Sequence, residues 1–330
     1  MLWLFVSLAA LAGIILLLSY YTYRICFYSP SDRKEDPYSH MHGQQYEAVK
    51  DSIIACTRKM DDAPCEWVNI TSFDGIKLYG RYYHTQDGAP VQIIFHGYRS
   101  FALRDCAGGY ILGQKMGFNV LAVDQRAHAR SGSNVISFGI LERKDCVSWC
   151  EYAAGRFGKD VPIIISGLSM GAATVLMASN MNLPDNVCAI MADCPYSDPG
   201  DIIRKVSLDE HYPDKLVYPF IRLGARLYGK FNLEETSAIQ AVRETKLPIL
   251  LLHGEDDRFV PCEMSRKIYE ACASSAQIYT FEDAGHGLCY MVDPGKYELA
   301  TVKFLWQVSC LQKHLRNNMF SMELINGNVD

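Results

Sequence analysis

Val161-Pro162-Ile163-Ile164-Ile165-Ser166-Gly167-Leu168-Ser169-Met170-Gly171 is the stretch on which the reading of this 330-residue chain turns. Its first half is a continuous apolar run rich in β-branched residues, the pattern of a strand buried on both faces. After it opens the helical stretch Met170–Asn180. Between the two, Gly167-Leu168-Ser169-Met170-Gly171 puts a single serine on a sharp strand-to-helix turn. Such a turn strains the backbone, and flanking glycines remove side chains that would clash there. The helix N-terminus adds positive dipole and N–H groups beside the hydroxyl. Chance alone yields the bare five-residue pattern in roughly one chain of this length in ten. The strand before and the helix after make Ser169 a candidate nucleophile.

A serine needs a base to take its proton, and the base needs an orienting acid. Where a serine sits on such an elbow, these follow in the chain order Ser, acid, His. Pro248–His253 reads as a buried strand that runs into Gly254-Glu255-Asp256-Asp257, and Gln277–Phe281 reads as a strand that runs into Asp283-Ala284-Gly285-His286-Gly287. Both loops fall past the C-terminal ends of strands, on the sheet edge that carries Ser169, where open α/β sheets bind ligands. Asp257 is the candidate acid and His286 the candidate base. Glu255 and Asp256 read as shaping the turn, Asp193 stands as an alternative acid, and His253 reads as a strand-end residue beneath the site. After the strand Val91–Phe95 comes His96-Gly97-Tyr98-Arg99-Ser100. Gly97 permits a tight backbone path, so the N–H groups of Tyr98 and Met170 are the candidate oxyanion donors. Whether the Tyr98 and Arg99 side chains face solvent or substrate stays open.

Working outward, Trp67–Thr71 and Lys77–His84 flank a hairpin-type turn at Phe73-Asp74-Gly75. Further apolar runs at Val120–Val123 and Val187–Ala192 complete a set of strands separated by helical segments near 102–116, 141–157, 169–181, 262–274 and 294–314. This alternation predicts a mostly parallel sheet buried on both faces. More than fifty residues separate the strands at 187–192 and 247–253, and an apolar stripe at Val217, Phe220, Ile221, Leu227 and Tyr228 predicts a small helical cap over about 198–243.

The first 23 residues carry no charged side chain. At about 1.5 Å per residue they reach roughly 33 Å, enough for a bilayer core of about 30 Å, with Tyr20, Tyr21 and Tyr23 at the interface end. A cleaved signal peptide is the competing reading, and it wants basic residues before the run and a small-x-small site after it, which the chain lacks. The run is read as an uncleaved single-pass anchor. Arg24, Arg33 and Lys34 follow it, which places the body of the chain on the cytoplasmic side. Residues 24–64 read as linker with a lead-in helix near 46–58, 65–314 as the main domain, and 315–330 as a polar tail. His40 and His42 read as solvated linker histidines rather than a metal pair. Twelve scattered cysteines include no zinc spacing; Cys146, Trp149, Cys150 and Ala153 are spaced as a helix core face, and reduced thiols are expected. A formal net charge of −5 gives no reason to expect a nucleic-acid partner.

Phe95-His96-Gly97-Tyr98-Arg99-Ser100, Asp124-Gln125-Arg126-Ala127-His128-Ala129-Arg130-Ser131, the serine elbow, Pro248 through Pro261 and Gly285-His286-Gly287 together resemble the α/β-hydrolase superfamily. The likeness is to a bacterial branch with prolyl-oligopeptidase-like and cinnamoyl-ester-hydrolase-like members, and it spans about residues 66–314. It implies an α/β-hydrolase fold and a serine hydrolase, with a carboxylic ester, thioester or amide as substrate and no metal or organic cofactor. Small molecules and acyl lipids are both within that substrate range. A peptidase, an acyltransferase and a non-catalytic binding protein use the same framework and stay open as alternatives. The chain departs from the family pattern Asp-x-Arg-Gly-x-Gly-x-Ser by placing Ala127 and Ala129 where glycines are usual, which leaves that loop's shape undetermined. His128 in the loop reads as structural.

Overall fold

The structure is a computed structural model that describes residues 1–30, 36–38 and 43–327. His40 and His42 lie outside the described residues, as do Ser31 and Asp32 of the expected linker. An eight-stranded sheet runs in the order β1-β2-β4-β3-β5-β6-β7-β8. Its strands are β1 Glu66–Thr71, β2 Lys77–Tyr83, β3 Val91–Phe95, β4 Asn119–Asp124, β5 Ile163–Leu168, β6 Val187–Asp193, β7 Ile249–Gly254 and β8 Ala276–Phe281. β1, β2 and β4 pair antiparallel, and every pairing from β4 through β8 is parallel. Each of the continuous apolar runs has become an inner strand, with β3, β4 and β7 buried along their whole length.

The period-two geometry of a strand explains why these runs are apolar at every position. Ile163 and Ile165 of β5 enter the core on one face, whereas Ile164 enters the core on the other. On the first face lie α4 Glu142–Phe157 and α5 Met170–Ala178; on the second lie α3 Ala107–Lys115 and α9 Pro294–Trp306, with α2 Lys50–Asp61 packed against α3. The expected core face of α4 is present, since Cys146, Trp149, Cys150 and Ala153 are all fully buried. All twelve cysteines are free thiols.

The hairpin turn at Asp74 is tied to the sheet by one buried cation. Arg126 forms ion pairs to Asp145 at 2.6 Å and to Asp74 at 3.0 Å, and Ser72 hydrogen-bonds Asp145 from below. Burial opposes the charge on Arg126, but its two carboxylate partners outweigh that and raise its pKa. Removing one partner from such a pair strands a buried charge and costs about 3–5 kcal/mol.

Between β6 and β7 two helices, α6 Pro199–Asp209 and α7 Asp214–Leu227, form the insertion over the sheet. Asp198 caps α6 by accepting from the N–H groups of Gly200 and Asp201, with Pro199 in the first turn. α1 runs from Leu2 to Cys26, long and apolar enough by length and composition to cross a membrane. Its first four turns stand exposed, while Ser19, Thr22 and Tyr23 are buried against α7.

Two stretches differ from the sequence reading. Residues 24–30 are not loose linker: Phe27 is fully buried, ringed by Phe138 and Phe231, and Tyr28 bridges Val135. Nor are residues 315–327 a polar tail. Leu315 is buried, and α10 Met319–Asn326 packs Leu324 into the core beside α9. Polar residues between these leucines hide the apolar face of a short helix.

Candidate active site

β5 ends at Leu168, and Ser169 occupies φ +54°, ψ −115° before α5 begins. That is the left-handed half of backbone space, where a side chain costs energy and is kept only if the surroundings enforce it. Here the glycines do so. A Cβ on Gly171 would lie 2.1 Å from the Phe95 carbonyl oxygen, and one on Gly167 would lie 2.3 Å from the Gly171 backbone. Strand, turn and helix therefore touch backbone to backbone. The Ser169 N–H donates to the Asp193 carbonyl at 2.8 Å, which ties the turn to the end of β6.

The structure brings Ser169, His286 and Asp257 together in one chain of contacts. Asp257 Oδ2 lies 2.6 Å from His286 Nδ1, and His286 Nε2 lies 2.9 Å from Ser169 Oγ. An ionised carboxylate only accepts, so the ring carries its proton on Nδ1 and Nε2 accepts from the serine hydroxyl. The loops holding Asp257 and His286 meet because Gly254 has no side chain: a Cβ there would sit 2.1 Å from the Ala284 carbonyl oxygen. Asp257 Oδ1 accepts from the N–H groups of Phe259 at 2.9 Å and Val260 at 2.8 Å, which fixes the carboxylate plane. Burial alone would raise its pKa, but hydrogen bonds from His253 and His286 outweigh it and hold the acid well below the usual carboxylate range. Glu255 does not reach the histidine; it accepts from the Thr280 hydroxyl at 2.5 Å.

His253 is closer to this chemistry than its place at a strand end indicated. Its Nε2 faces Val260 O at 2.8 Å and Asp257 Oδ2 at 3.3 Å, while Nδ1 lies 2.6 Å from Ser265 Oγ. Two acceptors beside Nε2 call for a proton on that nitrogen, and the Ser265 hydroxyl meets the ring at Nδ1. The ring steadies Asp257 from beneath. Asp193 is buried at the end of β6, where desolvation raises its carboxyl to about 6. Beside it, Cys194 completes with Asp257 and His286 the one trio of metal-ligating side chains, among the described residues, whose atoms converge within 4.8 Å. Burial pushes the Cys194 thiol well above its ordinary pKa, and both His286 nitrogens already face Asp257 and Ser169. The arrangement is one for proton transfer.

The loop after β3 lies against the nucleophile. The position of a Cβ on Gly97 is 3.5 Å from Ser169 Cβ, and the Gly97 N–H donates to Asp105 at 2.8 Å. His128 holds the next turn: its Nε2 accepts from the Arg99 N–H at 3.0 Å while Nδ1 faces the Arg126 carbonyl at 2.8 Å. His96 serves the same end through Gln125, whose N–H it accepts at 3.0 Å. The alanines that replace family glycines keep the glycine-type backbone, with Ala127 at φ +62° and Ala129 at φ +45°. The side chains of Tyr98 and Arg99 are half-buried and line the same cavity as Ser169, with their polar ends turned to α1. The Tyr98 hydroxyl donates to Cys26 O at 2.8 Å, and Arg99 donates to Ile25 O at 2.6 Å, so both bind the end of α1. The N–H of Met170 is the first of the helix, a position with no acceptor within the helix itself.

A family model described as the alpha/beta hydrolase family matches residues 93–298. A relative in Bacillus subtilis strain 168, the uncharacterized protein YqkD, is 24% identical over 237 residues, covering 72% of this chain and 77% of its own. The bifunctional esterase/perhydrolase DCH of Acinetobacter calcoaceticus is 21% identical over 271 residues, covering 66% and 92%. Among solved structures, the Pyrococcus furiosus esterase Pf2001 superposes with a TM-score of 0.60 at 23% identity, over 76% of this chain and 93% of that one. Est1E of Butyrivibrio proteoclasticus, solved with ferulic acid bound, gives 0.55 at 18% identity over 73% and 98%. With the elbow, the eight-stranded sheet and a family model covering more than half its length, the chain belongs to the alpha/beta hydrolase family.

Proposed function

We propose that this protein is a serine hydrolase that cleaves a carboxylic ester through an acyl-enzyme on Ser169. The observation that carries the reading is the contact chain Ser169–His286–Asp257, at 2.9 and 2.6 Å, built on a strained elbow. Ser169 Oγ attacks the carbonyl carbon as His286 Nε2 takes its proton, and Asp257 stabilises the imidazolium. The N–H groups of Met170 and Tyr98 receive the oxyanion; one such donor is typically worth about 2.7–4 kcal/mol in the transition state. The C–O bond to the alcohol breaks, His286 returns the proton to the departing oxygen, and water repeats the sequence to free the acid. An ester fits the names carried by relatives described as esterases. Thioesters and amides present the same carbonyl, and a panel of the three ranks them.

We also read α1 as a retained membrane anchor, with the domain on the cytoplasmic side. In support, Ser19, Thr22 and Tyr23 are buried against α7, and the Tyr228 hydroxyl donates to the Leu16 carbonyl. A signal sequence removed near residue 23 would take these contacts away and leave the α7 face open. Arg24 follows the span, in accord with the positive-inside tendency.

Labelling with a fluorophosphonate probe tests the nucleophile. The wild-type protein is expected to label and Ser169→Ala to show no labelling. Undiminished labelling of the variant refutes the assignment, and a folded wild-type protein that does not label supports a binding protein instead.

A further inference from the structure

We propose that the last two turns of α1 form a wall of the substrate pocket, and that the pocket takes the acyl chain of a lipid ester drawn from the bilayer around α1. This rests on Ser169 as the nucleophile. A cavity of about 260 Å³ opens directly onto Ser169. Its inner end is made by buried Tyr196, Ile202, Ile203 and Ile221 from the insertion and the loop before it, and its outer rim by exposed Tyr21 and Ile25 of α1 with Tyr212 and Phe259. A chain with its carbonyl at Ser169 therefore runs through aliphatic and aromatic side chains toward α1. A dry cavity of about 150 Å³ accommodates benzene, so this one holds on the order of ten carbons, with any longer chain emerging at the rim.

The wall is fixed in place. α1 and α7 meet backbone to backbone, since a Cβ on Gly224 would lie 2.4 Å from the Ser19 carbonyl oxygen. The Tyr228 hydroxyl donates to Leu16 O at 3.1 Å, and Arg99 donates to Ile25 O and Tyr28 O at 2.6 and 3.2 Å. A bilayer core of about 30 Å uses about 20 helical residues, so a span beginning at Leu2 leaves the hydrocarbon near Tyr21, at the pocket rim. Leu208 and Leu216, 55% and 68% exposed, flank the rim residue Tyr212 in sequence. The bilayer that α1 enters is the apolar phase at hand to cover them. The mouth thus opens at headgroup level rather than into bulk water.

The test uses the full chain in phosphatidylcholine vesicles with p-nitrophenyl acetate and p-nitrophenyl decanoate. A fully buried methylene is worth about fourfold in binding at about 0.8 kcal/mol each, so decanoate is expected to exceed acetate at least tenfold in kcat/KM. Ile25→Trp, at a half-exposed helix position, puts bulk into the rim. It should lower the decanoate-to-acetate ratio of kcat/KM at least tenfold, with labelling by a small fluorophosphonate showing that the variant folds with its site assembled. Equal chain-length behaviour in wild type and variant overturns the wall. Absence of both labelling and acetate hydrolysis in the wild type instead overturns the nucleophile. For the route, diacylglycerol in the same vesicles as the protein should be cleaved at least tenfold faster than diacylglycerol in separate vesicles; equal rates overturn entry from the bilayer.

Discussion

Asp257→Asn is the perturbation whose outcome the geometry defines most narrowly. Asp257 Oδ1 accepts two backbone N–H groups, from Phe259 and Val260, at 2.9 and 2.8 Å. An asparagine here must put its carbonyl oxygen on those donors, because its NH₂ group offers them nothing. The NH₂ then occupies the Oδ2 position, 2.6 Å from His286 Nδ1. A donor at that point requires Nδ1 to accept, so the ring proton moves to Nε2, the atom that must take the proton of Ser169. The fold survives, but the NH₂ also faces the N–H of His253, whose Nε2 lies 3.3 Å from Oδ2 in the wild type, and the base is in the wrong tautomer. The equivalent change in the Ser-His-Asp triad of the chymotrypsin-like proteases lowers kcat about 10⁴-fold, or about 5 kcal/mol in barrier height. Here a loss of about 10³–10⁴-fold in kcat is expected, with KM moved little, since Asp257 does not line the pocket. The assay is hydrolysis of a short p-nitrophenyl ester, with urea unfolding to show that the variant folds. A folded Asp257→Asn protein within tenfold of wild-type kcat would falsify the role of Asp257 as the acid, and Asp193 would be the next to test.

Three further substitutions probe stability. Ala129 is exposed at φ +45°, so Ala129→Gly should raise stability by about 1 kcal/mol, the left-handed strain relieved less the extra entropy of an unfolded glycine. Ala127→Gly should come out near zero, because its buried methyl gives back about 0.8 kcal/mol; urea midpoints that rank the two the other way contradict this account. Asp193, raised to about 6 by burial, binds a proton in the folded state between pH 4 and 6 that the unfolded chain has released. Stability from this group is therefore greatest below pH 4 and falls by about 3 kcal/mol as pH rises to 6 and beyond. Asp193→Asn should remove that fall, and pH–stability curves of variant and wild type that run parallel would refute it.

The elbow was readable because its chemistry restricts residue type at every position: only glycine fits beside the Phe95 and Gly171 backbones, and only an apolar run makes a strand buried on both faces. Chain order did the same for Asp257 and His286, which the fold brings within 2.6 Å of each other. Ala127 and Ala129 show the opposite case. The backbone there needs a left-handed turn, but the sequence carries no glycine to announce it, because His128 and Arg126 contacts hold the loop against the strain. His253 was placed beneath the site by its strand position, yet its reach to Asp257 depends on side-chain direction at the end of a buried strand. The helix at 319–326 was hidden by spacing too short for an amphipathic pattern to emerge.

The N-terminal helix is the clearest instance of what a one-dimensional pattern leaves out. An apolar run long enough to span a bilayer is apolar on every face, so nothing in it distinguishes a side that meets lipid from a side that meets protein. The distinguishing residues are small ones, Ser19 on α1 and Gly224 on α7, and they carry no hydrophobic signal at all. Close approach of two helices through small residues is a packing device familiar within membranes, where apolar burial gives no drive for association. Its use here, in the last turns of α1, joins the proposed span to the domain that carries Ser169. The same contact orients Tyr21 and Ile25 toward the cavity. On the proposed reading, the segment that tethers the chain and the segment that shapes its pocket are one helix, and moving either function alone requires breaking the contact at Gly224.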